Sequence, residues 1–382
     1  MTAPAKIVAV DAIPISVTGP RPFRISEGQA GTHTSVLLRL LTDRDGIEGN
    51  AEIVCAPPGK PEEFPEEILG AVDRYVAPAL AGANAANRRD AMTRLERVLK
   101  GRIWTKAAVN VALHDLQAKL LSVSVSALLG GRNAPEVPVI GPVIGMATPD
   151  DMAAIAAEEA KSGFAAVKIK IGESVEADVA RVAAVREAIG PKIRLRVDAN
   201  DHYRPADAVR LARAIERYDI EHIEQPVARG DLLGMAEVRR GVGIPVMTDD
   251  AVATPQDAMT VARLGAADRV KVKVTKHGLD GAQLIIGLLE AAGIACVLGH
   301  VFEMGLAGLA EAHLAAIARN LVPPHEIGSM QPMGTTADIV ANLNRPRPAT
   351  IRLPDGPGLG AILDWEAIDA MRTDGRRHKG AA

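Results

Sequence analysis

The chain has few aromatic residues and only two cysteines. Aromatic side chains make up 2% of its 382 residues, which counts against a surface that stacks bases or sugar rings on aromatic platforms. The two cysteines, Cys55 and Cys296, are too few for a disulfide framework, and their spacing matches no zinc motif. We therefore expect a reduced, cytoplasmic protein.

The sequence also lacks a long apolar run and a strong charge of either sign. No stretch of about 18 uninterrupted apolar residues is present, so we expect no membrane span. The first ten residues, MTAPAKIVAV, contain one lysine and no long apolar core, and they do not predict a signal peptide. With 44 basic and 47 acidic residues the formal net charge is −3, which gives no electrostatic basis for nucleic-acid or membrane partners. The expected partner is a small molecule.

What the sequence does contain is a series of short apolar runs that each end in charged residues. The runs are VKIKI, IRLRVDAN, IEHIEQP, IPVMTDD and RVKVKV. The intervals from Lys170 to Asp198, Glu224, Asp249 and Lys273 are 28, 26, 25 and 24 residues. β-branched runs that alternate with Ala-rich amphipathic sequence at such an interval predict βα units in a parallel sheet. Charges at the strand ends are typical of a barrel active site, because the carboxyl ends of its strands meet at one mouth.

The order of the predicted elements divides the chain into three parts. Strands followed by a long helical stretch predict an α+β capping domain over residues 1–131. Eight strands are then predicted, near residues 137–144, 166–171, 193–198, 220–224, 245–248, 269–274, 294–299 and 321–325. This number favours a closed (β/α) barrel, a modified TIM barrel, over residues 132–330. We expect residues 331–382, which include the turn-rich LPDGPGLG, to pack back on the capping domain.

Three carboxylates at the ends of consecutive predicted strands form a candidate metal site. Asp198, Glu224 and Asp249 can meet around one hard divalent cation, and ligation by oxygen alone suits Mg²⁺, or Mn²⁺, better than Zn²⁺. Each acid taken alone would more often be a solvated loop residue or half of a salt bridge. Their register at three successive strand ends reverses that expectation. Asn200 follows Asp198 by two residues and is placed to assist the site.

Two sets of lysines are predicted to flank this cluster. Lys168 and Lys170 project to the same side of a strand because side chains alternate, and Lys168 would help to keep Lys170 partly neutral, as a base requires. The alternative is a pair of exposed lysines on an edge strand. Lys273 ends the sixth strand, opposite the second, with Asp250 placed to orient it. Lys271 has the same parity but lies deeper, so either of these two could be the reactive lysine.

The motifs VKIKIG, RVDAN, IEQP, VMTDD, VKVKVTKHG and PDGPGLG together resemble the enolase superfamily, in its muconate-lactonizing (muconate cycloisomerase) group, which is related to mandelate racemase. The resemblance covers most of the chain. It implies that Lys170 and Lys273 are an acid/base pair and that Lys168 supports Lys170. It also implies a homo-oligomer, commonly an octamer in this group.

The same resemblance assigns roles to the acidic residues. It implies that Asp198, Glu224 and Asp249 bind Mg²⁺. Glu326, at the end of the eighth predicted strand, resembles the carboxylate that positions the substrate or stabilises its enolate. Glu303 would either support the metal shell or simply end the seventh strand.

The chain departs from this group at several positions. Asp250 stands where the group usually has a glutamate, so its contact with Lys273 is open to question, and Lys271 adds a charge. His300 occupies a position that commonly has a small residue and resembles the catalytic histidine of mandelate-racemase-like members. That histidine pairs with an aspartate on strand six, where this chain has Lys273. We therefore expect His300 to contact substrate or to be a core histidine.

The reaction implied by the resemblance is removal or delivery of a proton next to a carboxylate, through a metal-stabilised enolate. A cycloisomerase of the muconate-lactonizing type is favoured. A racemase, epimerase or dehydratase of an amino-acid-like carboxylate is the alternative, and a barrel that binds metal and ligand without turnover is a third. Dipeptide epimerases of the superfamily usually carry Asp-x-Asp after the eighth strand, where this chain has Gly328-Ser329-Met330. The substrate itself is not predicted.

Overall fold

A computed structural model describes residues 4–55, 63–131, 136–141, 143–327, 338–343 and 349–377. The side chains of residues 20–22 and 30 lie outside this description. So do both predicted domain boundaries and the segment Gly328-Ser329-Met330. Within the described ranges, no helix is both long and apolar enough to cross a membrane.

The N-terminal sheet is a long antiparallel hairpin with a third strand at its side. Its strands are β1 (Ile7–Ile25), β2 (Gly28–Thr42) and β3 (Glu48–Val54), in the order β1-β2-β3. Alternate apolar residues such as Ile13 and Ile15 are buried, as the period of a half-buried strand requires. The first two strands run further than the sequence predicts. Their paired ends carry Phe23 and Ile25 to the barrel mouth.

A group of helices covers this sheet, as predicted. They are α1 (Pro65–Ala71), which continues through a π-helical turn (Val72–Val76) into α2 (Ala77–Leu80), then α3 (Arg88–Val98), α4 (Ile103–Leu120) and α5 (Val125–Leu128). Helix α4 is buried on nearly every side because it lies between the sheet and the barrel. Gly49 of β3 permits this close packing, since a Cβ there would overlap the backbone oxygen of Ala112.

The second part of the chain alternates strands and helices, which confirms the predicted barrel class. After β4 (Glu136–Pro138) the elements are α6 (Pro149–Lys161), β5 (Ala166–Lys170), α7 (Val175–Ile189), β6 (Arg194–Asp198), α8 (Pro205–Ile215) with a 3₁₀ turn (Glu216–Tyr218), β7 (Ile220–Glu224), α9 (Leu232–Gly241), β8 (Val246–Thr248), α10 (Pro255–Leu264), β9 (Arg269–Val272), α11 (Val274–Ala291), β10 (Ala295–Leu298) and α12 (Gly305–Ala315). Strands β5 to β10 form one parallel sheet in sequential order. Its register pairs Lys170 with Asp198 and Asp198 with Glu224, so these side chains end in one layer.

The sheet closes through two segments that were predicted as full strands and are not. Over residues 139–141 and 143–144 the structure has isolated bridges, in which Val139 pairs with His325 and Ile144 with Ile169. Over residues 321–325 it has one bridge at each end. Prolines in and beside both segments lack the N–H that a continuous ladder needs, which explains the correction. The bridges nevertheless complete the ring. They join Ile144 to β5 on one side and Val139 to His325 on the other. The segment that contains His325 pairs with β10 through Leu321 and through the bond from Glu326 N–H to Leu298 O at 3.0 Å.

The C-terminal residues contact both parts of the molecule. Strand β11 (Thr350–Arg352) pairs with β4, and α13 (Trp365–Met371) lies near β1. Leu359 N–H donates to Asp115 Oδ1 on α4 at 2.7 Å. Leu359 and α13 thus lie against the N-terminal part, while the packing of residues 331–382 as a whole on the capping domain stays a prediction.

Candidate active site

A cavity lies between the barrel mouth and the N-terminal sheet and helices. Its barrel side carries the polar residue Asn200 and eight charged residues from the strand ends, namely Lys168, Lys170, Asp198, Glu224, Asp249, Asp250, Lys271 and Lys273. The rest of its lining is mainly apolar. Phe23, Ile25, Val54, Cys55 and Trp104 come from the N-terminal part, and Val143, Val301 and Phe302 come from the barrel. Most of the predicted site residues therefore meet in one cavity whose lining is partly charged and partly apolar.

The paired lysines on β5 both face Asp198. Lys170 Nζ lies 2.7 Å from Asp198 Oδ2, Lys168 Nζ lies 2.9 Å from the same atom, and Lys170 also donates to Asn200 Oδ1 at 2.8 Å. Lys168 is only 2% exposed, so the alternative of two exposed edge-strand lysines is wrong. Burial lowers the pKa of Lys170, and the neighbouring Lys168 lowers it further. This is the environment that a lysine base requires.

The position of Asn200 is explained by this group. Its backbone N–H donates to Asp198 Oδ1 at 3.0 Å while its side chain accepts from Lys170. Asn200 has φ 42°, in the left-handed region that asparagine tolerates better than most residues. It therefore orients both Asp198 and Lys170.

On the other side of the cavity, Lys273 contacts Asp249. Its Nζ lies 2.7 Å from Asp249 Oδ2 and 3.7 Å from Asp250 Oδ1. Burial alone would lower the pKa of Lys273, but Asp249 and Asp250 outweigh it and raise the pKa above the usual range. Asp250 thus helps to keep Lys273 protonated through its negative charge, while the close contact comes from Asp249.

Glu224 lies between two lysines at the base of the cavity. Its Oε2 accepts from Lys168 and its Oε1 from Lys271, each at 2.6 Å. Burial, together with the nearby Asp198, raises the pKa of Glu224 to about 7. Glu326 lies beside both lysines, at 3.0 Å from Lys168 and 2.6 Å from Lys271. Glu326 is absent from the cavity lining, so the structure places it behind Glu224.

Two groups of side chains could be considered for a metal ion. Among the described residues, His222, Glu224 and Glu326 are the three potential ligands whose atoms lie within 4.8 Å of one another. Arg269 Nη1 contacts His222 at 2.9 Å, and Lys168 and Lys271 contact both glutamates. Of this group only Glu224 lines the cavity, so a cation in the cavity would not reach His222 or Glu326. This group is better explained as an internal ion-pair layer.

The predicted set of Asp198, Glu224 and Asp249 fits a hard cation better. All three carboxylates are buried and line the cavity, and they supply the oxygen donors that Mg²⁺ prefers. Asp249 Oδ1 is buried without a hydrogen-bond donor, which is a costly arrangement that a bound cation would relieve. Lysines pair with these three acids as well, but all three acids line the cavity, where a cation can reach them.

His300 lies in the lining of the cavity, whereas the nearby Glu303 lies outside it. His300 lines the cavity, and its Nδ1 accepts from Phe302 N–H at 3.2 Å. Burial lowers the pKa of His300 to about 3, so the ring is neutral. Glu303 lies outside the lining and accepts from Val301 N–H at 2.8 Å. Glu303 lies five residues beyond the end of β10, at Leu298, so it does not end that strand, and its role near the metal stays a prediction.

Sequence reasoning missed two cationic residues near the site. Lys276 Nζ donates to the backbone oxygen of Asp249 at 3.2 Å. Arg229 contacts Asp201, Asp250 and Glu27, and so connects the barrel mouth to the tip of the β1–β2 hairpin. Lys276 follows Lys273 by one helical turn, which was an available signal. Arg229 lies in a loop, and no local pattern marks it.

Two protein-family models match most of the chain. "Mandelate racemase / muconate lactonizing enzyme, N-terminal domain" matches residues 9–130, and "Enolase C-terminal domain-like" matches residues 151–367. These spans correspond to the α+β part and to the barrel with most of the C-terminal segment. The predicted family is confirmed.

Similar proteins extend over nearly the whole chain. The L-Ala-D/L-Glu epimerase of Bacillus subtilis (strain 168) is 32% identical over 363 residues, which are 94% of this chain and 97% of the epimerase. Muconate cycloisomerase 1-2 of Acinetobacter lwoffii is 33% identical over 385 residues, 99% of this chain and 98% of the relative. A dipeptide epimerase from Enterococcus faecalis V583, solved with Mg and the dipeptide L-Leu-L-Tyr, superimposes with a TM-score of 0.86 at 30% identity and covers 93% of this chain and 99% of its own. This chain therefore belongs to the mandelate racemase / muconate lactonizing enzyme family and is an enolase-superfamily isomerase.

Proposed function

We propose that this enzyme moves a proton at the carbon next to a substrate carboxylate, with Lys170 on one face of that carbon and Lys273 on the other. The observation that carries the proposal is the separate anchoring of the two lysines. Lys170, at the end of β5, contacts Asp198 at the end of β6. Lys273, just after β9, contacts Asp249 just after β8. Strands β5 and β9 are four positions apart around the ring, so the two ammonium groups approach the cavity from opposite sides.

Asp198, Glu224 and Asp249 would hold one Mg²⁺, with Mn²⁺ as a substitute. The Mg in the solved dipeptide epimerase supports this assignment. When bound, such a cation stabilises the negative charge that develops on the substrate carboxylate.

The two lysines differ in how readily they hold a proton. The lowered pKa of Lys170 suits its Nζ to accept the proton from the α-carbon. Lys273 is held protonated by its two aspartates, which suits its Nζ to deliver a proton to the opposite face. Removal at one face and delivery at the other inverts the carbon, and the reverse reaction exchanges the two roles. Lys273 is buried and the Lys170 side chain is only 13% exposed, which limits the access of water to these steps.

The apolar part of the cavity lining favours racemisation or epimerisation over muconate cycloisomerisation. Muconate has a second carboxylate, and the described cations of the lining all belong to the barrel side. An apolar wall that includes Phe23, Trp104 and Phe302 suits an uncharged group instead. We therefore propose a carboxylate with an apolar or N-acylated body as the substrate. Cycloisomerisation is the second candidate, supported by the 33% identity to a muconate cycloisomerase.

Exchange of the α-proton with solvent tests the proposal directly. The Mg²⁺-loaded enzyme is incubated in D₂O with N-succinyl and N-acetyl amino acids of both hands, dipeptides and cis,cis-muconate, and products are followed by NMR. We expect deuterium at the α-carbon of the N-acetyl amino acids, whose acyl group is uncharged, together with the opposite enantiomer. Lactone formed from muconate without racemisation would favour the second candidate, and loss of a β-substituent would indicate a dehydratase. Binding without exchange by any of these compounds would contradict the proposal and indicate a binding barrel.

A further inference from the structure

The turn Lys276-His277-Gly278 interrupts helix α11 directly after Lys273. Gly278 has φ 65° and ψ −179°, so the helix divides into a short first turn and a longer second piece that begins near Leu279. A residue with a side chain would be strained in this conformation. The division allows the two pieces to be held by different parts of the molecule.

The first turn is fixed to the active-site end of the barrel. His277 Nδ1 accepts from Lys273 N–H at 3.2 Å, and its Nε2 contacts Val252 O at 3.1 Å. Burial, with help from Lys276, lowers the pKa of His277 to about 3, so the neutral ring carries its proton on Nε2 and donates to Val252. Lys276 donates to Asp249 O at 3.2 Å. The turn thus ties the backbone of Lys273 to the loop that follows Asp249.

The second piece is fixed by the N-terminal domain. Asn110 of α4 is 5% exposed, and its Oδ1 accepts from Leu279 N–H at 2.9 Å and from Asp280 N–H at 3.2 Å. Its Nδ2 donates to Asp280 Oδ2 at 2.7 Å. The first amides of a helix are commonly capped by a neighbouring residue of the same segment. Here a residue about 170 positions away caps them, from another domain.

The contact between Asn110 and Gly278 leaves no spare room. A Cβ on residue 278 would lie 2.8 Å from Asn110 Oδ1. The path from α4 to Lys273 is therefore continuous: Asn110 fixes the break in α11, and the turn beyond the break fixes Lys273. Lys170 is held by Asp198 and Asn200 and takes no part in this path.

We propose that Asn110 is a positioning residue for Lys273, through which the N-terminal domain sets the geometry of one of the two proton-transfer faces. The inference rests on the proposed function, since it concerns one of the two lysines in that reaction. It requires that damage at Asn110 affect the Lys273 face and spare the Lys170 face. A general loosening of the structure would affect both faces alike.

The test is Asn110→Ala, assayed on each enantiomer of whichever N-acyl amino acid the unaltered enzyme exchanges fastest. The Lys273→Ala variant first shows which enantiomer presents its proton to Lys273. We expect Asn110→Ala to lower exchange from that enantiomer about 10–100-fold, as a small misplacement of a catalytic group does, with the other enantiomer changed less than about threefold. The matched control is Asn342→Ala, since Asn342 also bridges backbone groups, donating to Gly360 O and accepting from Ile362 N–H, each at 2.9 Å. It should leave both rates unchanged.

Equal losses at both faces, or no loss, would overturn the inference while leaving the proposed function standing. An unaltered enzyme that exchanges no proton would overturn the proposed function and this inference with it. Arg88→Ala decides the matter if Asn110→Ala does not fold. Arg88 holds Asp280 from the more exposed side, with Nη2 at 3.1 Å from Asp280 Oδ1, and its loss should give a smaller effect on the same face.

Discussion

The side chain of Lys271 fills the space beside Gly299. A Cβ added to residue 299 would overlap the Cδ and Cε atoms of Lys271. The lysine is fixed in this position because its Nζ lies 2.6 Å from both Glu224 Oε1 and Glu326 Oε2. A glycine at position 299 and a lysine at position 271 are therefore matched to each other, beneath the candidate metal ligand Glu224.

Replacing Gly299 by alanine should destabilise the protein. The added methyl group overpacks a buried site, which typically lowers the free energy of unfolding by about 1–3 kcal/mol. Urea unfolding measures the change. The control is Gly287→Ala in helix α11, where a Cβ meets open space and should stabilise by about 0.5–1 kcal/mol. In the double variant Gly299→Ala/Lys271→Ala the overlap is relieved, so strictly additive losses would contradict this explanation.

Magnesium alone should stabilise the protein through Asp198, Glu224 and Asp249. A ligand at 100 times its Kd adds about 2.7 kcal/mol to the free energy of unfolding. Thermal unfolding with Mg²⁺ and with EDTA should show this difference in the unaltered protein and lose it in Asp198→Asn and Asp249→Asn. Glu303→Gln should keep it, because Glu303 is occupied with Val301 N–H. Chelation should also abolish turnover.

A crystal structure with the metal gives the second check on the same site. The three carboxylates should then place oxygens about 2.0–2.2 Å from one Mg²⁺. Stabilisation that survives Asp198→Asn, or carboxylates that point away from a common centre, would contradict the assignment.

The parts of the site that lie on regular strands could be predicted from the sequence. The period-two alternation predicts that Lys168 and Lys170 share a face, and both reach Asp198 Oδ2. The nearly constant interval predicts that Asp198 and Glu224 end neighbouring strands, and the register pairs them. These are local rules, and they hold wherever the chain repeats one βα unit.

The remaining features depend on contacts between distant segments. Prolines reduce two predicted strands to bridges, although the ring still closes. Glu326 was expected among the substrate contacts, but Lys168 and Lys271 hold it behind Glu224. Much of the apolar lining, including Phe23 and Trp104, comes from the N-terminal domain. Neither the long hairpin that carries Phe23 nor the cap from Asn110 onto α11 has a local sequence signal.

Replacing either active-site lysine should remove turnover and leave the fold intact. Lys170→Ala and Lys273→Ala should each lower proton transfer at their own face by about 10²–10⁴-fold, the contribution typical of a general base or acid. Circular dichroism and the stabilisation by Mg²⁺ should change little. A variant that still exchanges the α-proton of one enantiomer would identify the face served by the remaining lysine. Full activity in both variants would contradict the mechanism.

Acid should weaken the protein partly through Asp280. Burial would raise the pKa of Asp280, but the neighbouring His114, whose Nε2 lies 3.3 Å from Oδ1, and hydrogen bonds from Arg88 and Asn110 lower it below its usual range. Since the folded pKa lies below the unfolded value of about 3.9, this stabilisation is present above about pH 4 and is lost as the pH falls further. Asp280→Asn should therefore destabilise at pH 7, by about 1 kcal/mol or less because 45% of the side chain is exposed.

The same variant should differ less from the unaltered protein as the solution becomes more acidic. Urea unfolding at pH 7 and at about pH 3 measures both differences. If the difference in the free energy of unfolding between Asp280→Asn and the unaltered protein is the same at both pH values, the charge of Asp280 does not contribute to stability. Only the packing and hydrogen-bonding geometry of the side chain would then contribute.

His300 should act as a neutral hydrogen-bond donor to the substrate. Its Nδ1 accepts from Phe302 N–H, which leaves the proton on Nε2. Its pKa, lowered by burial to about 3, keeps the ring uncharged above about pH 4. His300→Asn should lower kcat/KM by about 10–100-fold, as loss of a positioning hydrogen bond does. The shape of the pH profile between about pH 5 and pH 9 should not change, because the ring does not titrate there.

Steady-state kinetics across this pH range, with His202→Asn as the control, decides between the roles of His300. His202 is an exposed histidine of the barrel whose Nε2 contacts Glu173 O, and its replacement should leave kcat/KM unchanged. A loss at His300 as large as that of Lys170→Ala would make His300 a principal acid or base, as in the mandelate-racemase-like members. No loss would make it a core histidine. We expect the moderate loss of about 10–100-fold. The His300 ring is neutral, and the ammonium group of Lys273 stands where those members would need an aspartate.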